Sequence, residues 1–175
     1  DQPLIIGSHL GIYAIVTVGV IQNWKALAKQ AFKDKSAHFS EMSGCEINPT
    51  ELVASLINQA DTFVEGLRSA QEAIEGSCSI LLLTDEGIYA ARDLLGRTPI
   101  TIGKKDGAYA ATLETCAFPN LDYKTDKILG PGEIVRMTAD GVEELKAPEE
   151  RMQICTFLWV YYGYPASDYE GINTE

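Results

Sequence analysis

Hydrophobic and polar positions along the chain change period twice, from strand to helix and back to strand. Leu4-Ile5-Ile6 reads as a strand already under way, and residues 11–18, Gly-Ile-Tyr-Ala-Ile-Val-Thr-Val, are continuously apolar and rich in β-branched side chains. Such a run suits a strand buried on both faces, and Gly19 after it permits a tight turn. The period then lengthens. Asn23 is placed to cap a helix whose Trp24, Leu27, Ala28 and Ala31 recur on one face before the charged Lys33-Asp34-Lys35. After a looser polar stretch at 36–48, Pro49 stands at the first position of a second helix, where its missing N–H leaves no bond unmade. The stripe Leu52, Val53, Leu56 and Ile57 follows it. Asp61 is expected to cap a third helix, with Val64, Leu67, Ala70, Ala73 and Ile74 at helical spacing until Gly76 ends it.

From there short β-type runs take over at 78–83, 87–92, 100–103 and 108–112, separated by Asp-Glu-Gly, Leu-Gly-Arg-Thr-Pro and Lys-Asp-Gly turns. A last hairpin is predicted at 133–138 and 142–145, around Ala139-Asp140-Gly141 and after the Gly130-Pro131-Gly132 turn. Helices followed by a block of antiparallel strands predict an α+β fold, with helices packed on the faces of sheets. The aromatic run Phe157-Leu158-Trp159-Val160-Tyr161-Tyr162 reads as a core or interface segment rather than a ligand site. Residues 167–175 read as a polar tail crossing to something further on.

Composition adds limits. A chain of 175 residues, 46% hydrophobic and 22% charged, suits one globular domain. Its apolar stretches are too short or too interrupted to span a bilayer, and no basic segment precedes an apolar one as a signal peptide requires. A net charge of -11 repels phosphate backbones and anionic lipid, so neither nucleic acid nor membrane is an expected partner. Cys45, Cys78, Cys116 and Cys155 form no Cys-x-x-Cys pair, which reads as idle thiols in a reducing cytoplasm. His9 and His38 stand in no metal-ligand spacing, and neither a P-loop nor a dinucleotide fingerprint is present.

One stretch carries more information than the rest. Gly87-Ile88-Tyr89-Ala90-Ala91-Arg92-Asp93-Leu94-Leu95-Gly96-Arg97-Thr98-Pro99-Ile100 is a strand ending in Arg-Asp that turns through Gly and Pro into another strand. It resembles the strand-turn-strand signature of class II glutamine amidotransferases, in particular the glutaminase half of the amidophosphoribosyltransferase family. Further likenesses follow in the family's order: Gln2-Pro3-Leu4, Gly11-Ile12-Tyr13-Ala14, Thr17-Val18-Gly19-Val20-Ile21-Gln22-Asn23, Glu114-Thr115-Cys116-Ala117, and Gly130-Pro131-Gly132-Glu133-Ile134-Val135. The segment from Cys155-Thr156-Phe157 to Pro165-Ala166-Ser167 is similar to the one that leads from the glutaminase half to the phosphoribosyltransferase half. It argues against other class II amidotransferases, such as glutamate synthases or sugar-phosphate aminating enzymes.

The resemblance implies the four-layer αββα sandwich of N-terminal nucleophile hydrolases, N-terminally incomplete here. It implies a cysteine nucleophile that attacks the side-chain amide of glutamine. Asp1 has no thiol or hydroxyl to replace it, and the chain is expected to lack the first strands along with the nucleophile. It also implies an oxyanion hole built from an asparagine side chain and the next glycine N–H, and the matching pair is Val18-Gly19. Gly19 retains a backbone donor, whereas Val18 has no side-chain donor, a loss that typically costs about 10²–10³ in rate. The aspartate that holds the α-ammonium of glutamine matches Pro49, which cannot accept that charge. Substrate affinity is then expected to fall at least about tenfold unless Glu46 or Glu51 reaches the pocket instead.

Arg92-Asp93 reads as an ion pair or turn cap holding two strands together rather than as direct chemistry. Cys155 matches an iron–sulfur ligand of cluster-bearing relatives, although relatives without a cluster also carry a cysteine there. The resemblance divides the chain into a glutaminase-like domain at 1–153 and, at 154–175, the start of a connection to a phosphoribosyltransferase domain. That second domain, which would use magnesium, has no counterpart in this sequence. The implied function is hydrolysis of glutamine to supply ammonia to phosphoribosyl pyrophosphate in purine biosynthesis, in a cytoplasmic homo-oligomer. The alternative is a catalytically silent amidotransferase-like domain with a scaffolding or ligand-sensing role.

Overall fold

The computed structural model describes residues 2–33, 42–43 and 46–174, and the side chains of all of these except residues 42, 43 and 46. Asp1, His38, Cys45 and the side chain of Glu46 lie outside them. In chain order the elements are β1 (Leu4–Ser8), β2 (Gly11–Ile21), α1 (Trp24–Lys33), β3 (Met42–Ser43), β4 (Glu46–Ile47), α2 (Pro49–Ile57) and α3 (Phe63–Ala73). Then come β5 (Gly76–Thr84), β6 (Gly87–Ala91), β7 (Thr101–Lys105), β8 (Ala108–Thr112), β9 (Lys124–Ile128), β10 (Ile134–Met137), β11 (Val142–Lys146), β12 (Asp168–Tyr169) and β13 (Ile172–Asn173).

Two antiparallel sheets organise them. The larger has the order β1-β2-β5-β6-β10-β11 and the smaller β8-β7-β9. Period-two alternation sends the two faces of the larger sheet to different cores. Tyr13 and Ile15 of β2, Ile80 and Leu82 of β5 and Ile134 of β10 pack with Val53, Ile57 and Leu67 of the helices. On the other face Ala90, Val135 and Met137 meet Ile100, Ile102 and Leu129, closing the space between the sheets. Layers of helix, sheet and sheet result. Outside the smaller sheet the cover is thin: Phe118, between two short 3₁₀ turns at Thr115–Ala117 and Pro119–Leu121, lies where a Cβ on Gly103 of β7 would sit.

Several local features differ from the sequence reading for identifiable reasons. β2 is not buried on both faces: its outward Ile12 is 77% exposed and Val18 42%. Nor does the strand turn at Gly19, which pairs with Cys78 at φ 152° while the strand runs on to Ile21. A side chain there would fall on the Ser77 carbonyl, so glycine is required for close strand approach rather than for a turn. The cap of α3 is Thr62, not Asp61: its hydroxyl accepts from the Glu65 N–H at 3.2 Å and donates to the Glu65 carboxylate at 3.0 Å. That helix ends at Ala73, and Gly76 opens β5 at φ 125°. Asn23 does precede α1, but its side chain ties down the end of α3. It donates to the Ala73 carbonyl at 2.8 Å and accepts from the Glu75 N–H at 3.0 Å.

The C-terminal segment returns to the body of the domain. Ser167 and Tyr169 are buried, the Ser167 hydroxyl donates to the Glu114 carboxylate at 2.7 Å, and the Asp168 N–H donates to the Thr115 hydroxyl at 2.7 Å. Before it, the π-helical turn Leu158–Tyr162 does not enter the core; its Val160, Tyr161 and Tyr162 are all exposed.

Candidate active site

The N-terminus of α2 faces the far end of β2 across a cavity of about 680 Å³. Each wall follows from local structure. On β2, Thr17 and Gly19 share the face turned toward the helices, two residues apart as the pleat demands. On α2, Asn48 caps the helix by accepting the Thr50 N–H at 2.9 Å, which places Pro49 at the first helical position, where proline is favoured. The hydroxyls of Thr17 and Thr50 are 2.7 Å apart and hold strand and helix together across the cavity floor. Gln2 closes one end: its amide accepts from the Thr17 N–H at 2.8 Å and donates to the Thr17 carbonyl at 3.0 Å. It thereby prolongs the ladder that the β1 backbone begins at Leu4.

Cys78 of β5 also lines the cavity, opposite Gly19, and is 5% exposed. Burial, with a smaller contribution from the Asp93 carboxylate, pushes its thiol up to about 12. At neutral pH it is therefore a protonated thiol and a poor nucleophile. No acidic or basic side chain is among the described residues that line the cavity.

The residues singled out from the sequence are thus partly brought together. Gly19 and Pro49 meet at one cavity, whereas Val18 lies on the opposite face of the sheet. Strand alternation puts Val18 into a separate apolar slot of about 160 Å³ with Val16, Leu81 and Ile100. It lacks a donor and points away. Glu51 is not part of the cavity wall. Cys155 is half-buried in a loop, and no group of three or more metal-ligating side chains occurs among the described residues.

Arg92 and Asp93 do not line the cavity and do not pair with each other; each serves a turn. The Arg92 guanidinium, 1% exposed, binds the carbonyls of Leu129 and Gly96 and the carboxylate of Glu170. Asp93 accepts from the N–H groups of Leu95, Arg97 and Thr98 at 3.2, 3.1 and 2.8 Å, the arrangement of a carboxylate capping a loop. Sequence reasoning missed Glu170, the buried Gln71 that binds the carbonyls of Arg92 and Gly132, and the Thr17–Thr50 pair. Only the last carried a signal, a threonine beside each position already under suspicion.

Residues 1–118 match the family described as the glutamine amidotransferase domain. The chain belongs to that family. Amidophosphoribosyltransferases are similar along nearly all of the domain. That of Archaeoglobus fulgidus is 27% identical over 98% of this chain, that of Bacillus subtilis 27% over 99%, and amidophosphoribosyltransferase 3 of Arabidopsis thaliana 30% over 95%. The domain spans 37%, 36% and 31% of these relatives, about a third of their length. The solved structure of glutamine phosphoribosylpyrophosphate amidotransferase from B. subtilis, complexed with ADP and GMP, superposes on 99% of the domain with a TM-score of 0.85 at 26% identity. The domain in turn covers 38% of that chain. The amidotransferase domain therefore has the N-terminal nucleophile hydrolase fold that its strand-turn-strand signature implied, and its likeness to the glutaminase half of amidophosphoribosyltransferases extends over the whole chain.

Proposed function

We propose that the domain is the glutamine-hydrolysing part of an amidophosphoribosyltransferase, releasing ammonia for transfer to phosphoribosyl pyrophosphate elsewhere in the same protein. The observation that carries this is the cavity between β2 and α2, which keeps Gly19 and the first turn of α2 together in a fold shared with amidophosphoribosyltransferases over its full length. Its volume suits a small metabolite. In this reading the Gly19 backbone offers one hydrogen bond to the oxyanion formed as the amide is attacked, and the Thr17–Thr50 bridge keeps the two walls at fixed separation. Burial raises the Cys78 thiol, and no basic side chain is among the described lining residues to deprotonate it, so in this reading Cys78 is not the attacking group. None of the described residues that line the cavity is an activated nucleophile. In this reading magnesium, and an iron–sulfur cluster to which Cys155 would contribute one thiolate, belong with the phosphoribosyltransferase part of the parent protein.

Pro49 and Val18 favour a second reading, a domain that keeps the fold and does not turn over glutamine. Ammonia release by the full-length protein separates the two. Release that depends on glutamine and falls when Thr17 and Thr50 are both replaced by valine supports hydrolysis in this cavity. A folded full-length protein that releases none, at glutamine concentrations far above millimolar, is a silent scaffold.

A further inference from the structure

Backbone groups along β2 point alternately to its two neighbours, and the far end of the strand shows which residue serves which side. Gln22, just beyond the strand, donates its N–H to the Glu75 carbonyl at 2.8 Å, on the side of β5. The N–H and carbonyl of Thr17 instead both meet the side chain of Gln2, on the side of β1. Alternation therefore turns even-numbered residues of this stretch toward β5 and odd-numbered ones, Thr17 and Gly19, toward β1. Backbone pairing with β1 ends at Leu4 opposite Ile15, so the edge at Thr17 and Gly19 lies beyond the last paired residue of that strand.

Two groups hold Thr17 there. The Gln2 carboxamide takes the place of a backbone partner, accepting the Thr17 N–H at 2.8 Å and donating to its carbonyl at 3.0 Å. On the helix side, the Thr17 and Thr50 hydroxyls meet at 2.7 Å. Gly19, two residues on, presents its N–H on the same edge as Gln2, and Gln2, Thr17 and Gly19 all line the cavity. Glycine has no side chain to be fixed by packing, so the direction of that N–H depends on what clamps the strand on either side. One clamp is the pairing of Gly19 with Cys78 of β5; the other is Gln2.

We infer that Gln2 is a positioning residue for hydrolysis: its carboxamide splints the free edge of β2 and so aims the Gly19 N–H at the oxyanion before the amide is attacked. A donor of this kind contributes only when it is oriented beforehand, and a displacement of about 1 Å can cost on the order of a hundredfold in rate. The inference rests on the reading of this cavity as a glutamine-hydrolysing site. It gives Gln2 no contact with glutamine; the side chain acts through the backbone of β2.

Ammonia release by the full-length protein tests it. Gln2→Met keeps the length of the side chain and loses both hydrogen bonds. Its kcat is expected to fall about tenfold to a hundredfold while KM for glutamine stays within about threefold, the split of an interaction made only in the transition state. Gln2→Glu puts a carboxylate on the same edge and is expected to lower kcat further, because it repels the developing oxyanion; mere loosening of the strand would not separate the two variants. An unchanged kcat in Gln2→Met, or equal values for both variants, overturns the inference and leaves hydrolysis standing. A parent protein that releases no ammonia from glutamine overturns the hydrolysis reading and this inference with it. Hydrogen exchange gives a readout independent of turnover: the Gly19 amide is expected to exchange about tenfold or more faster than the Thr17 amide that Gln2 holds. A Gly19 amide as slow as that of Thr17 is already paired, and that result also overturns the inference.

Discussion

At the residue scale, no charged side chain is among the described residues that line the cavity. Pro49 is at the first position of α2, where an acidic side chain is well tolerated and would face the cavity. Pro49→Asp is therefore expected to improve glutamine affinity about tenfold, since a hydrogen bond to a charged ammonium is worth roughly 1.5–3 kcal/mol. Calorimetric titration of the full-length protein checks this, and an unchanged Kd would mean that the amino acid's ammonium does not lie near α2. Cys78 makes a prediction of a different kind. Its thiol titrates at about 12 in the folded chain against an ordinary value of 9.0, so below about pH 9 both folded and unfolded forms hold the proton. Between pH 9 and 12 only the unfolded form gives it up, and stability falls as pH rises through that window. Tyr13, pushed up from 10.0 to about 12 by burial, adds to the same loss from pH 10 upward. Denaturation midpoints measured from pH 8 to 11 should decline, and Cys78→Ala should flatten the part of the decline that begins near pH 9.

Helix–helix contact is decided by one small residue. A Cβ on Gly66 of α3 would come within 2.5 Å of the Ile57 carbonyl oxygen at the end of α2. Alanine gains roughly 1 kcal/mol in helix propensity over glycine, while forcing apart a packed pair costs about 1–3 kcal/mol. Because the opposing atom is backbone rather than a flexible side chain, the steric term wins. Gly66→Ala is expected to destabilise the domain by up to about 2 kcal/mol in urea unfolding. The same element shows what could be read beforehand: the stripes Leu52, Val53, Ile57 and Leu67 placed α2 and α3 correctly, because burial of one face leaves a period of 3.6 in the sequence. Strands with one face bare did not announce it, since Ile12 and Val18 are as apolar as the buried Ile15. β9 was invisible for the opposite reason. Lys-Thr-Asp-Lys-Ile is the composition of a protected edge, held by its pairing with β7 and not by an apolar pattern of its own. At the cavity, position in the sequence brought Gly19 and Pro49 under suspicion together, but the direction of Val18 depends on the phase of the pleat across a strand that continued past its expected end.

Across the whole molecule, the C-terminal segment divides into two parts with opposite energetic roles. The aromatic turn contributes surface: Tyr161 is 77% and Tyr162 72% exposed. The following hairpin contributes closure. It brings Ser167 to Glu114, buries Tyr169 edge-on against Trp159 at 5.8 Å, and carries Glu170 to the buried Arg92 guanidinium. Arg92 in turn holds the Leu129 and Gly96 carbonyls, so one ion pair links the tail, the Arg-Asp turn and the approach to β10. Removing one partner of a buried pair leaves an uncompensated charge. Glu170, however, is 18% exposed, so water can screen part of the loss. Glu170→Gln is expected to cost about 1–3 kcal/mol, which is a fall in Tm of roughly 3–10 °C for a domain of this size. Tyr161→Ser should change stability by less than about 0.5 kcal/mol. Truncation after Gln153 removes the ion pair, the Ser167 and Asp168 hydrogen bonds and the cover over Thr115 together, and should cost more than Glu170→Gln alone. Scanning calorimetry of the three variants beside the parent chain tests the ordering, truncation worst, Glu170→Gln intermediate and Tyr161→Ser neutral. If the truncated chain melted with the parent, the hairpin would be an appendage and the buried Arg92 would owe its stability to the two carbonyls alone.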